Sequence, residues 1–154
     1  MKRTLLRPAV VALIAAIAWG GLLIAPAEGA SPTTPEGVPV AWAGWIGDNA
    51  PVAVLLWASW VPDADEALAD LDRISAAAEA RGLDLVVVVV QEPIEEARDA
   101  IGSADVEWFH DRYGNLLKEY RVVSIPLLLV FSADGKVTER VSVSSESLQA
   151  WSGK

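Results

Sequence analysis

Two uninterrupted apolar runs bracketing one amphipathic stretch constrain this chain more than any other feature. Val52 to Trp57, with Pro51 before it, and Leu83 to Val90, which holds five consecutive valines, contain almost no polar residue. A strand with one wet face would alternate, so these runs predict strands covered on both faces, the second in the centre of a parallel sheet. Between them Ala64, Ala67, Leu68, Leu71, Ile74 and Ala78 recur at three-to-four spacing, with Asp65, Glu66, Asp70, Asp72, Arg73 and Glu79 on the other face. That pattern predicts a helix from about Asp63 to Ala80, stopped at Gly82.

Downstream, Pro93 opens a short helix with Ile94, Ala97 and Ile101 on one stripe and Gly102 just past its end. Val106 to His110 reads as a short edge strand and Leu116 to Arg121 as a helical turn or two. Leu127 to Phe131 is a further apolar strand, Ala133-Asp134-Gly135-Lys136 a hairpin turn, and Val137 to Val143 its antiparallel return. Ser144 or Ser145 caps a last helix carrying Leu148 and Trp151. The fold class is therefore α/β, a central mixed β-sheet flanked by helices.

The first thirty residues read as targeting. Lys2, Arg3 and Arg7 precede an uncharged apolar run from Ala9 to Ala25, and Ala25 and Ala27 have the small-x-small spacing of a signal peptidase site. Residues 1–27 are thus a signal peptide or an N-terminal membrane anchor, both consistent with the run's length. Either places the remainder of the chain outside the cytoplasm. Residues 28–36, rich in Pro and Thr, read as an extended linker, and residues 37–154 as the folded domain.

Charge and composition then remove whole classes of function. Lys2, Arg3 and Arg7 among the basic residues and Glu28 among the acids precede Ser31, leaving 9 basic and 20 acidic side chains in the remainder. Such a surface repels phosphate backbones and anionic headgroups, so nucleic acid is not an expected partner and membrane contact is expected only through the N-terminal segment. The chain has 0 cysteines and 1 histidine. Disulfides, thiolate nucleophiles and cysteine or multi-histidine metal sites are excluded, and no metal or cofactor is expected.

These residues in this order resemble the thioredoxin-like family, and more closely its exported TlpA/ResA-type branch. The resemblance is carried by Trp57-Ala58-Ser59-Trp60-Val61-Pro62-Asp63-Ala64, similar to the family's strand-to-helix motif ending in Cys-x-x-Cys. Asp111-Arg112-Tyr113-Gly114-Asn115, Tyr120-Arg121-Val122 and Ser124-Ile125-Pro126 add the run into the family's cis-proline, and Asp134-Gly135-Lys136-Val137 the hairpin after it. Gly37-Val38-Pro39-Val40 fits the segment before the first core strand more loosely. A thioredoxin-like fold is implied from Gly37 to Trp151.

The departure falls on the active site. Val61 and Ala64 occupy the positions of the family's cysteines, so the thiolate attack and resolution that define thiol–disulfide exchange have no atoms to run on. Asp63, Asp65 and Glu66, at the helix start, read as capping residues. His110 beside Asp111 suggests a base and its orienter, with Ser59 or Ser124 as nucleophile, but spacing alone says nothing about geometry, and the reading is a structural or solvent-facing histidine. Glu92 falls where exported relatives carry an acid near the dithiol; without thiols it reads as an acid at the start of the helix opened by Pro93. Leu55 is apolar where thioredoxin keeps a buried acid.

Of the 7 tryptophans, Trp57 reads as core, and Trp42 and Trp45 share one face of a helical turn that packs on the domain. Trp60 corresponds to the family's surface tryptophan beside the groove. The reading is a redox-inactive exported domain that binds a protein or extended peptide through Trp60, Val61, Pro62, Ser124, Ile125 and Pro126, with Val61 substantially exposed. Two alternatives are an accessory component of an extracytoplasmic thiol-disulfide or cytochrome c maturation pathway, and a structural envelope protein without a groove ligand.

Overall fold

The computed structural model describes residues 31–153. The signal or anchor expected at residues 1–27 lies outside them, as does the first part of the expected linker. In chain order the elements are α1 (Trp42–Asn49), β1 (Val52–Trp57), α2 (Ala64–Ala69), α3 (Leu71–Glu79), β2 (Asp84–Val90), α4 (Ile94–Ile101), β3 (Glu107–Asp111), α5 (Asn115–Glu119), β4 (Leu127–Phe131), β5 (Val137–Ser142) and α6 (Ser145–Ser152). Among the described residues no helix is long and apolar enough to cross a membrane.

The strands form one mixed sheet in the order β3-β2-β1-β4-β5, with β1, β2 and β3 parallel and β4 and β5 antiparallel additions. β1 is central and buried throughout, and all five valines of β2 are buried, as their uniform apolarity requires. Because β1, β2 and β3 run the same way, the loops at their C-terminal ends emerge at one end of the sheet. That shared end holds the site.

Two segments differ from the sequence expectation. The single helix over residues 63–80 divides at Asp70, whose ψ of 2° takes it out of the helical region. Its carboxylate pairs with the Arg73 guanidinium three residues on, an ordinary helix-surface ion pair. The buried residues Ala64, Ala67, Leu71 and Ile74 keep the helical rhythm straight through the break, so periodicity carried no sign of it. α3 ends as expected at Gly82: with φ +70 there, the Leu83 N–H reaches the Ala78 carbonyl at 3.0 Å and the Gly82 N–H reaches Glu79 at 2.9 Å, closing the last turn.

Residues 31–36, expected as part of a linker, are instead docked. Thr33 and His110 exchange two backbone hydrogen bonds of 2.8 Å, and the chain turns back so that Val40 donates to Pro32 at 2.8 Å. Arg98 holds the turn through the Pro35 carbonyl at 3.1 Å. The reason is the sheet edge: β3 has backbone groups with no strand beside them, and this hairpin satisfies part of them.

The expected helical turn at Trp42 and Trp45 is α1. The two indoles stack at 5.1 Å and both meet Phe109 of β3 edge-on, at 5.7 and 5.0 Å. Trp42 also donates its indole N–H to the Tyr120 hydroxyl at 3.1 Å. Burial, and then the Glu119 charge, raise the Tyr120 phenol above its usual range. The β4–β5 hairpin turn is held by Ser132 and Lys136, which bring the pKa of the Asp134 carboxyl down to about 2. Ser144 caps α6 by accepting from the Ser147 N–H at 3.2 Å.

Candidate functional site

One wall of the site continues from β1. Trp57 points into the core and donates its indole N–H to the Ala64 carbonyl at 3.0 Å, tying the strand end to the start of α2. Between these anchors the chain runs outward, leaving Trp60 58 % exposed and Pro62 exposed. Val61 turns the other way. It is 9 % exposed, which corrects the expectation that it lies open in the groove. The Ala64 N–H donates to the Val61 carbonyl at 3.3 Å, and this tight turn folds the valine inward. Capping by Asp63 is also corrected: it adopts φ +64 and makes no side-chain cap bond, while Asp65 and Glu66 occupy the first turn of α2.

The second wall continues from β3. Asp111 is buried, and its carboxylate accepts the backbone N–H groups of Asn115 at 3.0 Å and Leu116 at 2.8 Å. It thereby supplies the cap that starts α5. Gly114 makes the preceding turn possible, since its φ is +62 and a Cβ there would meet the Gln91 side chain at 2.8 Å. After α5 the chain reverses through Arg121, at φ +52, with the Val122 N–H returning to the Leu117 carbonyl at 2.8 Å. The segment 122–125 then passes over the site into the cis Ile125–Pro126 peptide; Ala50–Pro51 is the other cis bond among the described residues.

Between the walls lies a groove of about 240 Å³. Of the residues singled out from sequence, it brings together Trp60, Val61, Pro62, Ser124 and Ile125. Pro126 is half-buried and lies behind Ile125 rather than on the lining. Sequence reasoning missed Gln91, Leu117, Val122 and Val123. Val123 is the most open of them, 99 % exposed. The signal available was the apolar pair Val122-Val123 in a segment otherwise reading as surface loop.

Glu92 corrects a second reading. It does precede Pro93 at the start of α4, but its side chain is 3 % exposed and turns toward the β1–α2 loop. There its carboxylate accepts the Ser59 backbone N–H, at 3.4 Å to each oxygen, and the Ser59 hydroxyl. The Glu92 backbone carbonyl meanwhile accepts Nε2–H of buried His110 at 2.7 Å. The histidine therefore serves the backbone, Ser59 is bound to a carboxylate, and Asp111 is occupied by α5. No base-and-nucleophile arrangement is assembled from His110, Asp111 and Ser59. Among the described residues no group of three or more His, Asp or Glu could hold a metal ion.

The Glu92 contacts pin the loop that displays Trp60. Glu92→Ala is expected to cost about 1–3 kcal/mol in urea unfolding, by removing the charged acceptor that both Ser59 donors share. It should also speed amide exchange at residues 59–61. Glu92→Gln, which keeps an acceptor oxygen, should retain most of both; equal behaviour of the two variants would show that the contact does not hold the loop.

No family model matches the chain, and no curated protein does. Solved structures do. A putative thiol:disulfide interchange protein DsbE from Chlorobium tepidum superposes with a TM-score of 0.64 at 20% identity, covering 78% of this chain and 85% of the other. A secreted Mycobacterium tuberculosis disulfide oxidoreductase homologous to E. coli DsbE gives 0.59 at 20% identity, over 83% and 98%. StoA from Bacillus subtilis gives 0.57 at 22% identity, over 79% and 93%.

The fold is thioredoxin-like.

Within this thioredoxin-like domain the departure from its neighbours is chemical. The Chlorobium and Mycobacterium proteins carry disulfide chemistry in their names, and this chain has 0 cysteines. Leu55, beneath the site, is buried and apolar as well. What the thioredoxin-like domain keeps at the end of the sheet is a shaped groove with exposed apolar rims.

Proposed function

We propose that this domain acts outside the cytoplasm as a binding module, holding an extended peptide segment of a protein partner in the groove without covalent chemistry. The observation that carries this reading is the pair of exposed apolar side chains that line it from the two loops, Trp60 at 58 % and Val123 at 99 % exposure. Displaying such side chains contributes nothing to the core, and exposed aromatic and aliphatic anchors beside a preformed groove are the usual energetic centre of peptide recognition. An extracytoplasmic setting is supported by the basic and apolar N-terminal residues and by a structural relative described as secreted.

The test is selection from a random peptide library, with wild type compared against Trp60→Ala and Val123→Asp. Both variants should unfold like wild type, since neither side chain is buried, and should bind selected peptides at least tenfold more weakly, about 1.4 kcal/mol or more. Failure to enrich any peptide, or equal binding by all three proteins, would leave a structural envelope role as the better account. Val61 is not a suitable probe, because a charged side chain there would enter the core.

A second reading is favoured by the names of the structural relatives: an accessory role in a thiol-disulfide or cytochrome c maturation pathway, with a client of that pathway as the occupant. It predicts that selected or crosslinked partners contain cysteine at the bound segment. In either reading the protein itself should show no insulin reduction above the dithiothreitol background; turnover that persists after removal of contaminating thioredoxin would contradict both.

A further inference from the structure

The acidity of this domain is unevenly spread. Of the 9 basic and 20 acidic side chains from Ser31 onward, residues 112–121 hold Arg112, Lys118 and Arg121 against Glu119 alone. Elsewhere among the described residues each arginine or lysine has an acceptor inside the domain: Arg73, Arg81 and Lys136 pair with acids, and Arg98 and Arg140 donate to the Pro35 and Tyr120 carbonyls. Arg112, Lys118 and Arg121 take part in none of these ion pairs and are exposed. Tyr113 and Val123, both exposed, stand in the same stretch, and the Arg112 guanidinium lies 5.9 Å from the Tyr113 ring centre. Cations beside exposed aromatic and aliphatic side chains make a strip suited to the boundary between water and lipid.

Topology gives the strip its direction. It leaves the C-terminal end of β3 and ends ahead of β4, whose first residue Leu127 lies opposite Leu56 near the C-terminal end of β1. The strip therefore lies at the end of the sheet that holds the groove. The chain enters the domain there as well: Thr33 pairs antiparallel with His110, so residues ahead of Thr33 run alongside those that follow His110, toward Arg112. Residues 26–30 separate Ser31 from the apolar run that ends at Ala25, and a segment of that length spans at most about 18 Å.

We infer that the 112–123 strip is a membrane-docking surface, resting on the anionic headgroups of the bilayer in which the N-terminal apolar run is anchored. This uses the anchor form of residues 1–27 and does not depend on what the groove binds. Arg112, Lys118 and Arg121 meet headgroup phosphates, while Tyr113 and Val123 reach the boundary with the acyl chains. The short tether keeps the strip at a high local concentration beside the bilayer, so a contact that is weak by itself is held. Asp63, Asp65, Glu66, Glu95 and Glu96 are exposed on other loops and helix starts at this end. Headgroups repel those acids, so the domain sets down on the strip side. Val123 also lines the groove, whose mouth thus opens at the bilayer surface.

Because the chain has 0 cysteines, a single introduced cysteine carries a fluorophore without background. Ser124→Cys reports beside the strip. Ala133→Cys reports from the β4–β5 turn, at the opposite end because Phe131 pairs with Val52 at the start of β1. The full chain is reconstituted in phosphatidylethanolamine vesicles, with or without about one-third phosphatidylglycerol, containing a nitroxide-headgroup lipid as quencher. In the anionic vesicles at low ionic strength, quenching at position 124 should exceed that at 133 at least threefold. The excess should fall by half or more in about 0.5 M salt, in vesicles without phosphatidylglycerol, and in the triple variant Arg112→Gln, Lys118→Gln, Arg121→Gln. That variant should unfold in urea like wild type, since none of the three cations forms an ion pair within the fold.

Equal quenching at the two positions overturns the inference. So does an excess at 124 that ignores salt, lipid charge and the triple variant, because the tether alone then sets the orientation. Full chain that separates from the vesicles in a density gradient overturns it as well, by removing the tether. An excess that follows the protein density in the vesicles instead of the lipid charge makes a second copy of the chain the occupant, and the inference falls. No peptide enters these measurements, so failure of the library selection would overturn the groove reading and leave the docking surface standing.

Discussion

Trp57→Ala is expected to destabilise the domain by about 3–5 kcal/mol and to lower its melting temperature by about 10–20 °C. Two losses add. The indole is almost fully buried at the end of the central strand, so its removal leaves a large cavity in a region where β1 is held on both sides by β2 and β4 and cannot collapse. It also removes the N–H that satisfies the buried Ala64 carbonyl at 3.0 Å. Trp57→Phe separates these effects, retaining most of the volume while losing the hydrogen bond, and should cost about 1–2 kcal/mol. Urea unfolding of the three proteins is the measurement. A cost for Trp57→Ala no larger than for Trp57→Phe would show that the indole is not a packing anchor. Because this contact ties β1 to α2, amide exchange at residues 59–64 should rise in both variants.

Asp111→Ala is expected to cost about 1.5–3 kcal/mol and to act on the opposite wall. Its carboxylate satisfies two N–H groups at the start of α5, a helix of 5 residues that has little intrinsic stability. Without the cap, exchange at Asn115 and Leu116 should approach that of an unprotected loop. The segment 122–125, which leaves α5 and forms the groove's far side, should loosen with it. Asp111→Asn presents one acceptor instead of two and should fall between. Peptide binding gives the functional readout: in Asp111→Ala it should weaken even though residue 111 is not on the lining. Unchanged exchange at residues 115–116 would show that α5 starts without this bond.

Much of this architecture was legible because burial on both faces leaves a plain mark. β1 and β4 coincide with the expected runs, and β2 and β3 begin one residue later than expected. The helix ends at Gly82 and Gly102 were readable because each needs a positive φ. The split at Asp70 was not, since a single residue leaving the helical region changes neither composition nor rhythm. The docked hairpin over residues 32–40 was not, since its cause is the open edge of β3, an element distant in sequence.

The site divides in the same way. Trp57 as core and Trp60 as surface are explained by one ending a buried strand and the other standing beyond it, and the structure places them so. Val61 was misjudged because it sits in the turn between β1 and α2, where residue type and spacing do not say which side chain points inward. Glu92 was misjudged because an acid beside a helix-opening proline has an ordinary solvated role, and only the meeting of two strand ends gives it Ser59 as a partner.

By itself the sequence determined that the chain forms an α/β fold and that its own side chains supply no thiol chemistry, because hydrophobic periodicity and residue identity are properties carried along the chain. Tertiary structure alone decided which side chains line the groove, which acid is buried beneath it, and that the basic strip over residues 112–123 shares the groove's end of the sheet. Those depend on loops converging at the end of a parallel sheet, where residues from positions 59–66, 91–92 and 117–125 become neighbours through strand order and not through spacing.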